Sequence, residues 1–262
     1  MRRCIETLDQ NKLEIAIASV LLAGKFHFYS SRELETRTGD KLGSEWPRID
    51  ERALINGFTS DLQTIAQGNL RITEEYLKQV EHILNSTGIL GGMNGANSDL
   101  ALIGGDLHPE NIIISIPRKQ RDAFSRDLVN RTIPSKEILY HLRITDLGKS
   151  KIGNRIIDLV DIINFPNFEI VSYDDKIGII VKAYADLFAS YSHRIATGDE
   201  ISYLRERVLS ISPIRCIRSA ANVSGELKDR YLAQANSIMR RNSKYTPLVD
   251  LLSKEFQHFQ KN

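Results

Sequence analysis

Apolar positions along the chain fall mostly at helical spacing, and two short runs depart from it. Leu13 to Phe28 is rich in Ala, Ile and Leu and apolar on nearly all sides, the pattern of a buried helix. Residues 29–48 are polar, with Gly39, Gly43 and Pro47, and read as a loop. Ile49 to Gln67 carries Leu54, Ile55, Phe58, Leu62, Ile65 and Ala66 at helical spacing. Thr73 is placed to cap a helix from Glu74 to Asn85, whose first turn holds two glutamates, as the helix dipole favours. Residues 86–98 contain four glycines and read as a flexible connector.

The two departures are Ile112–Ile116 and Ile138–Thr145, which read as strands of one hairpin. Between them, residues 117–136 are basic and polar (Arg118, Lys119, Arg121, Arg126, Arg131) and predict a solvated insertion. Asp122 and Asp127 in the same stretch favour a solvated face over an anion-binding one. From Arg155 on, the spacing is helical again over Ile156–Asn164, Asp174–Tyr191, Glu200–Ile211, Gly225–Met239 and Pro247–Phe259. Pro213 marks a break. The last of these, with Leu251, Leu252, Phe256 and Phe259, is an amphipathic packing element.

The fold class expected is therefore mainly α with a small β-hairpin (α+β), with too few strands for a parallel sheet. One domain is expected over 1–262: helices over 1–100, a loop-and-hairpin segment over 101–165, and helices over 166–262.

Composition narrows the partners. At 262 residues, 42% hydrophobic and 26% charged, the chain is ordinary for a globular protein, and its formal net charge of +2 makes no case for nucleic acid, membrane or an acidic partner. Leu13–Ala23, the most apolar stretch, is shorter than the roughly 20 residues a bilayer requires. Glu6 and Asp9 stand where a secretory leader is apolar. Two cysteines, Cys4 and Cys216, suggest neither a disulfide framework nor metal spacing, so the cytoplasm is the expected compartment. Cys216, between Ile214 and Ile217, reads as a buried thiol. His27, His82 and His141 are isolated and take no ligand role.

The chemistry-bearing residues cluster in one region. Residues 103–114 read Ile-Gly-Gly-Asp-Leu-His-Pro-Glu-Asn-Ile-Ile-Ile, so Asp106 stands five positions before Asn111 on a polar turn entering a strand. Asp146 then ends the second apolar run, two positions ahead of Gly148. Phosphoryl transfer needs this grouping: one carboxylate to orient a hydroxyl, and an amide oxygen with a second carboxylate to hold Mg²⁺ against ATP phosphates. Taken alone, Asp106–Asn111 reads equally as a polar turn with local backbone bonds.

Joined to Asp146 and Ile157-Asp158-Leu159, the segment Gly105-Asp106-Leu107-His108-Pro109-Glu110-Asn111 resembles the catalytic segment of the aminoglycoside phosphotransferase and choline kinase group within the protein-kinase-like superfamily. That group's pattern is a His-Gly-Asp-x-x-x-x-Asn loop, a following metal-binding Asp and a downstream Asp-Leu at a helix start. The resemblance covers roughly residues 101–165. Leu21–His27 is similar to the group's helix that ends near a histidine.

The resemblance implies a kinase-like C-terminal lobe that uses ATP and Mg²⁺ to phosphorylate a small-molecule hydroxyl. It makes Asp106 the catalytic acid that orients the hydroxyl, and Asn111 and Asp146 the metal ligands. Asp158 becomes a structural brace, and His108 and Lys149 the candidates for the cofactor side, His108 shaping the loop and Lys149, with Lys151, facing phosphate. On a turn after Leu107, His108 also reads as purely structural.

Two features depart from the group. Gly104 stands where it has a histidine, and no Gly-x-Gly-x-x-Gly or Val-Ala-x-Lys strand precedes Asp106. The expectation is thus a lobe whose N-terminal β partner is missing or separate, and the alternative is a non-catalytic, kinase-derived scaffold that binds a partner.

Overall fold

The computed structural model describes residues 12–36, 48–66, 72–91, 100–104, 107, 111–114, 117–129, 142–144, 150–165 and 172–260. The described residues are mainly helical with small antiparallel sheets, the class read from the sequence pattern. The chain divides into two compact units, one of residues 1–48 and 97–208, the other of 49–96 and 209–262.

The first unit is built around α1 (Lys12–Thr36). Ala16, Ile17, Val20, Leu21 and Ala23 are almost fully buried, each larger aliphatic side chain contributing roughly 1.5–3 kcal/mol relative to exposure. The helix runs eight residues beyond Phe28 into what the polar pattern marked as loop. Its serines explain this: Ser30 and Ser31 donate back to the His27 and Phe28 carbonyls, so polar side chains satisfy the helix instead of breaking it. Phe28, stacked on Tyr191 with centroids 4.9 Å apart, anchors the extension.

Two antiparallel ladders follow. In the first, β2 (Leu100–Ile103) pairs with β5 (Lys151–Asn154), Leu100 opposite Asn154 and Ile103 opposite Lys151; β5 is central in the sheet order β1–β5–β2, β1 being Arg48–Ile49, where the unit boundary falls. In the second, β3 (Ile112–Ile114) pairs with β4 (Leu142–Ile144), Ile112 opposite Ile144. Only the second was expected. The four-residue strands of the first carry too few alternations to be read without their partners.

The stretch between β3 and β4 is also corrected: Arg118–Val129 forms a helix, α4. Its polar face is exposed, but Phe124 is 2% exposed and α4 packs against α1. The helix α5 (Ile156–Asn164) starts where the spacing predicted, and Asn154 Oδ1 accepts from the Ile156 amide at its entry. After it, α6 (Tyr173–Ser190) is capped by Ser172 and packs along α1. Gly24 permits that approach, since a Cβ there would stand 3.1 Å from Leu187 Cδ2 and 3.5 Å from Tyr184 Cδ2.

The helix α7 (Gly198–Ala221) passes from the first unit into the second and continues through Pro213, where a break was expected. Burial overrides the lost amide: Ile211, Ile214 and Ile217 are all at most 3% exposed, and the Tyr245 hydroxyl donates to the Ser210 carbonyl beside the proline. The second unit also holds α2 (Glu51–Ile65), capped by Asp50, and α3 (Glu74–Thr87), capped by Thr73 as predicted and ended by left-handed Gly88. Next come α8 (Glu226–Arg240) and α9 (Thr246–Leu252). The long final helix is not formed. The chain turns after Leu252, and the Phe259 and His258 carbonyls accept from Arg240 and Asn236 of α8.

Two outcomes test this packing. Gly178→Ala, where a Cβ meets nothing within 4 Å, is expected to stabilise by about 0.5–1 kcal/mol through helix propensity. Gly24→Ala is expected to destabilise by about 1 kcal/mol in urea unfolding, because overpacking against Leu187 outweighs the same gain.

In the second unit, burial pushes the Asp61 carboxyl above its ordinary 3.8, while Arg218 and Arg215 pull it down. A raised folded value means the protonated form confers stability that is lost as pH rises through that value. Asp61→Asn, neutral at every pH, is therefore expected to melt above the parent near neutrality, with the gap closing below about pH 3.8 in a pH series of thermal melts.

Candidate functional site

The first turn of α5 carries the residue around which the site is built. Asp158 is 0% exposed, and its Oδ2 accepts from the Gly104 amide at 2.8 Å and from His27 Nε2 at 3.0 Å. The opposite ring nitrogen, Nδ1, lies 2.9 Å from the Tyr184 hydroxyl of α6. His27 and Tyr184 are likewise 0% exposed. The three side chains thus form a dry chain of hydrogen bonds from α6 through α1 to α5, ending on backbone at the mouth of the segment 104–111.

Gly104 fits because it lacks a side chain. A Cβ there would stand 3.3 Å from Leu107 Cβ and 3.6 Å from Asp158 Oδ2, so a larger residue would crowd the carboxylate that its own amide addresses. At the N-cap of α5, the Arg155 guanidinium lies 4.1 Å from the Phe188 ring centroid and 5.6 Å from that of Tyr184, a cation–π contact that steadies the tyrosine. From α1, the Ser30 hydroxyl accepts from the Leu102 amide at 3.1 Å, tying β2 to the same helix. Burial lowers the Lys25 pKa, and burial, then Tyr29 nearby, pushes the Tyr191 hydroxyl up to about 12.

Of the residues read as functional, Asp158 and Asn111 are described. Asn111 is half-buried and stands one position before β3. Asp106, His108, Asp146 and Lys149 lie outside the described residues. Lys151, named with Lys149 as facing phosphate, opens β5 opposite Ile103. Among the described residues no group of three or more His, Cys, Asp or Glu side chains gathers as a metal site. Cys216 is a buried free thiol, as its surroundings suggested.

His27 was read as isolated, and that is corrected: it bridges Asp158 and Tyr184. A polar residue inside an otherwise apolar helix signals a buried partner, but the sequence does not say which one lies 131 or 157 positions away. All three side chains are 0% exposed, so none of them presents a reactive atom to solvent. No family model matches the chain, and no curated protein matches it. Among the described residues no helix is long and apolar enough to cross a membrane.

Removing the carboxylate orphans two buried donors at once. Asp158→Ala is expected to cost about 3 kcal/mol in urea unfolding, whereas Asp158→Asn, whose Oδ1 still accepts, costs about 1 kcal/mol.

Proposed function

We propose that the chain is an ATP- and Mg²⁺-dependent phosphotransferase that acts on the hydroxyl of a small molecule, with its first unit built as a kinase-like C-terminal lobe. The observation that carries this reading is the pair of ladders flanking two segments. Ile103 opposite Lys151 brings the start of 104–111 beside the end of 145–150, and Ile112 opposite Ile144 brings their other ends together. Asp106 lies two residues from Gly104, and Asp146 two from Ile144, so each is within about 7 Å of a fixed point along the chain. Two short segments tied to each other at both ends suit side chains that share one cation.

The donor set fits Mg²⁺. Asn111 supplies an amide oxygen and Asp146 a carboxylate, both hard oxygen ligands, and Asp106 supplies the carboxylate that orients the acceptor hydroxyl. Bound Mg²⁺ and ATP would supply charge neutralisation and the phosphoryl group. His108 shapes the turn on the cofactor side, Lys149 faces phosphate, and Asp158 holds the backbone ahead of Asp106 through its Gly104 bond. Two cysteines in the whole chain agree with a reducing, cytoplasmic setting.

A non-catalytic scaffold of the same ancestry is the second reading. It is favoured by the described residues ahead of Leu100, which are helical apart from Arg48–Ile49 and offer no strand pair to cover phosphates.

The two readings separate in a thermal-shift series. At about tenfold excess over Kd, Mg²⁺·ATP contributes about 1.4 kcal/mol, a rise of a few degrees for a protein of this size. That rise is expected in the parent and lost in Asp146→Ala and without Mg²⁺; Asp106→Ala is expected to keep the shift and lose transfer. Unshifted melting at millimolar Mg²⁺·ATP would leave the scaffold reading.

A further inference from the structure

We propose that Tyr184 and His27 are positioning residues for the Gly104 backbone: together they hold the Asp158 carboxylate in the orientation that fixes the Gly104 amide, two residues before Asp106 in the sequence. The inference rests on the phosphotransferase reading for its kinetic consequence, though its structural part stands without it.

A carboxylate only accepts, so His27 must present a proton on Nε2 to Asp158 Oδ2, 3.0 Å away. In the neutral ring, Nδ1 is then an acceptor, and the Tyr184 hydroxyl at 2.9 Å donates to it. Asp158 and Tyr184 therefore call for the same tautomer, the carboxylate by accepting from Nε2 and the hydroxyl by donating to Nδ1, and together they hold the ring at both ends. Without the Tyr184 hydroxyl a buried Nδ1 loses its donor and the ring is held at one end only. It can then tilt, and Oδ2, which the Gly104 amide also addresses at 2.8 Å, loses a donor of fixed position, so the Gly104 bond loosens with it.

The supports of this relay are built for rigidity. Gly24 lets α1 approach α6 closely enough for the imidazole to reach the phenol, and Arg155 stacks on Phe188 and on the Tyr184 ring. All three side chains are 0% exposed, so they act through the contacts they make, and of those contacts the Gly104 amide is the one two residues ahead of Asp106. Such a relay acts on placement of the reacting group, not on nucleotide affinity.

A matched contact supplies the control. Tyr173, at the start of α6, donates to Asn164 Oδ1 at the end of α5 at 2.9 Å, joining the same two helices without reaching Gly104.

The experiment compares Tyr184→Phe, His27→Gln and Tyr173→Phe in the full chain. It reads Gly104 amide exchange by NMR, thermal melting, and Mg²⁺·ATP hydrolysis, in which water takes the phosphoryl group to give ADP and inorganic phosphate. Tyr184→Phe is expected to accelerate Gly104 exchange and to lower kcat roughly tenfold with KM for ATP within about twofold, since small misplacements act on the chemical step. His27→Gln, whose amide can donate to Asp158 and accept from Tyr184, is expected to retain most of the parent's Gly104 protection and kcat. Tyr173→Phe is expected to change neither.

Unchanged Gly104 exchange in Tyr184→Phe would overturn the proposal, as would equal effects from Tyr173→Phe. If the parent hydrolyses no ATP, the phosphotransferase reading fails by itself. The exchange data then decide the relay alone: faster exchange in Tyr184→Phe upholds it, and parent-like exchange ends it.

Discussion

A carboxylate sealed from water is tolerated only when protein donors replace its hydration, and Asp158 sets that demand at the centre of the first unit. Its donors come from Gly104 at the end of β2 and from His27 in the middle of α1. Meeting this one carboxylate thus ties α1, α5 and the Gly104 backbone together. The Tyr184 contact extends the same constraint to α6. Apolar packing alone would leave these elements free to slide by a residue. A short, directional set of bonds does not, because each depends on ångström-scale alignment.

The rest of the first unit reads as accommodation of that arrangement. Gly24 thins α1 where α6 must come close, and Gly104 leaves room for the carboxylate oxygens. Ser30 anchors β2 through the Leu102 amide, so α1 grips the strand and, three residues earlier, the residue that grips the loop. The two ladders then pair Ile103 with Lys151 and Ile112 with Ile144, so the described residues that flank 104–111 and 145–150 are held on regular structure.

Much of the helical layout was legible because its signals are local. Thr73 announced α3, and Ile156–Asn164 was read to the residue from its apolar run. Of the candidate site, the order Asp106, Asn111, Asp146 and Asp158 was legible, and Asp158 accepts from the Gly104 amide. Errors arose where a neighbour decided. Ser30 and Ser31 look like loop residues until their hydroxyls return to helix carbonyls. Pro213 looks like a stop until the isoleucines around it are buried, and Arg118–Val129 looks solvated until Phe124 finds α1.

The amino-acid order by itself determined where most of the helices start, which residue types gather near positions 101–165, and that α-helical structure dominates, since caps, periodicity and motif spacing act over a few residues. Tertiary structure alone decided the β2–β5 ladder, the passage of α7 through proline, and the partnership of His27 with Asp158 and Tyr184. The bonds of His27 reach residues 131 and 157 positions away, and nothing local in the chain specifies which distant donor a buried carboxylate will find.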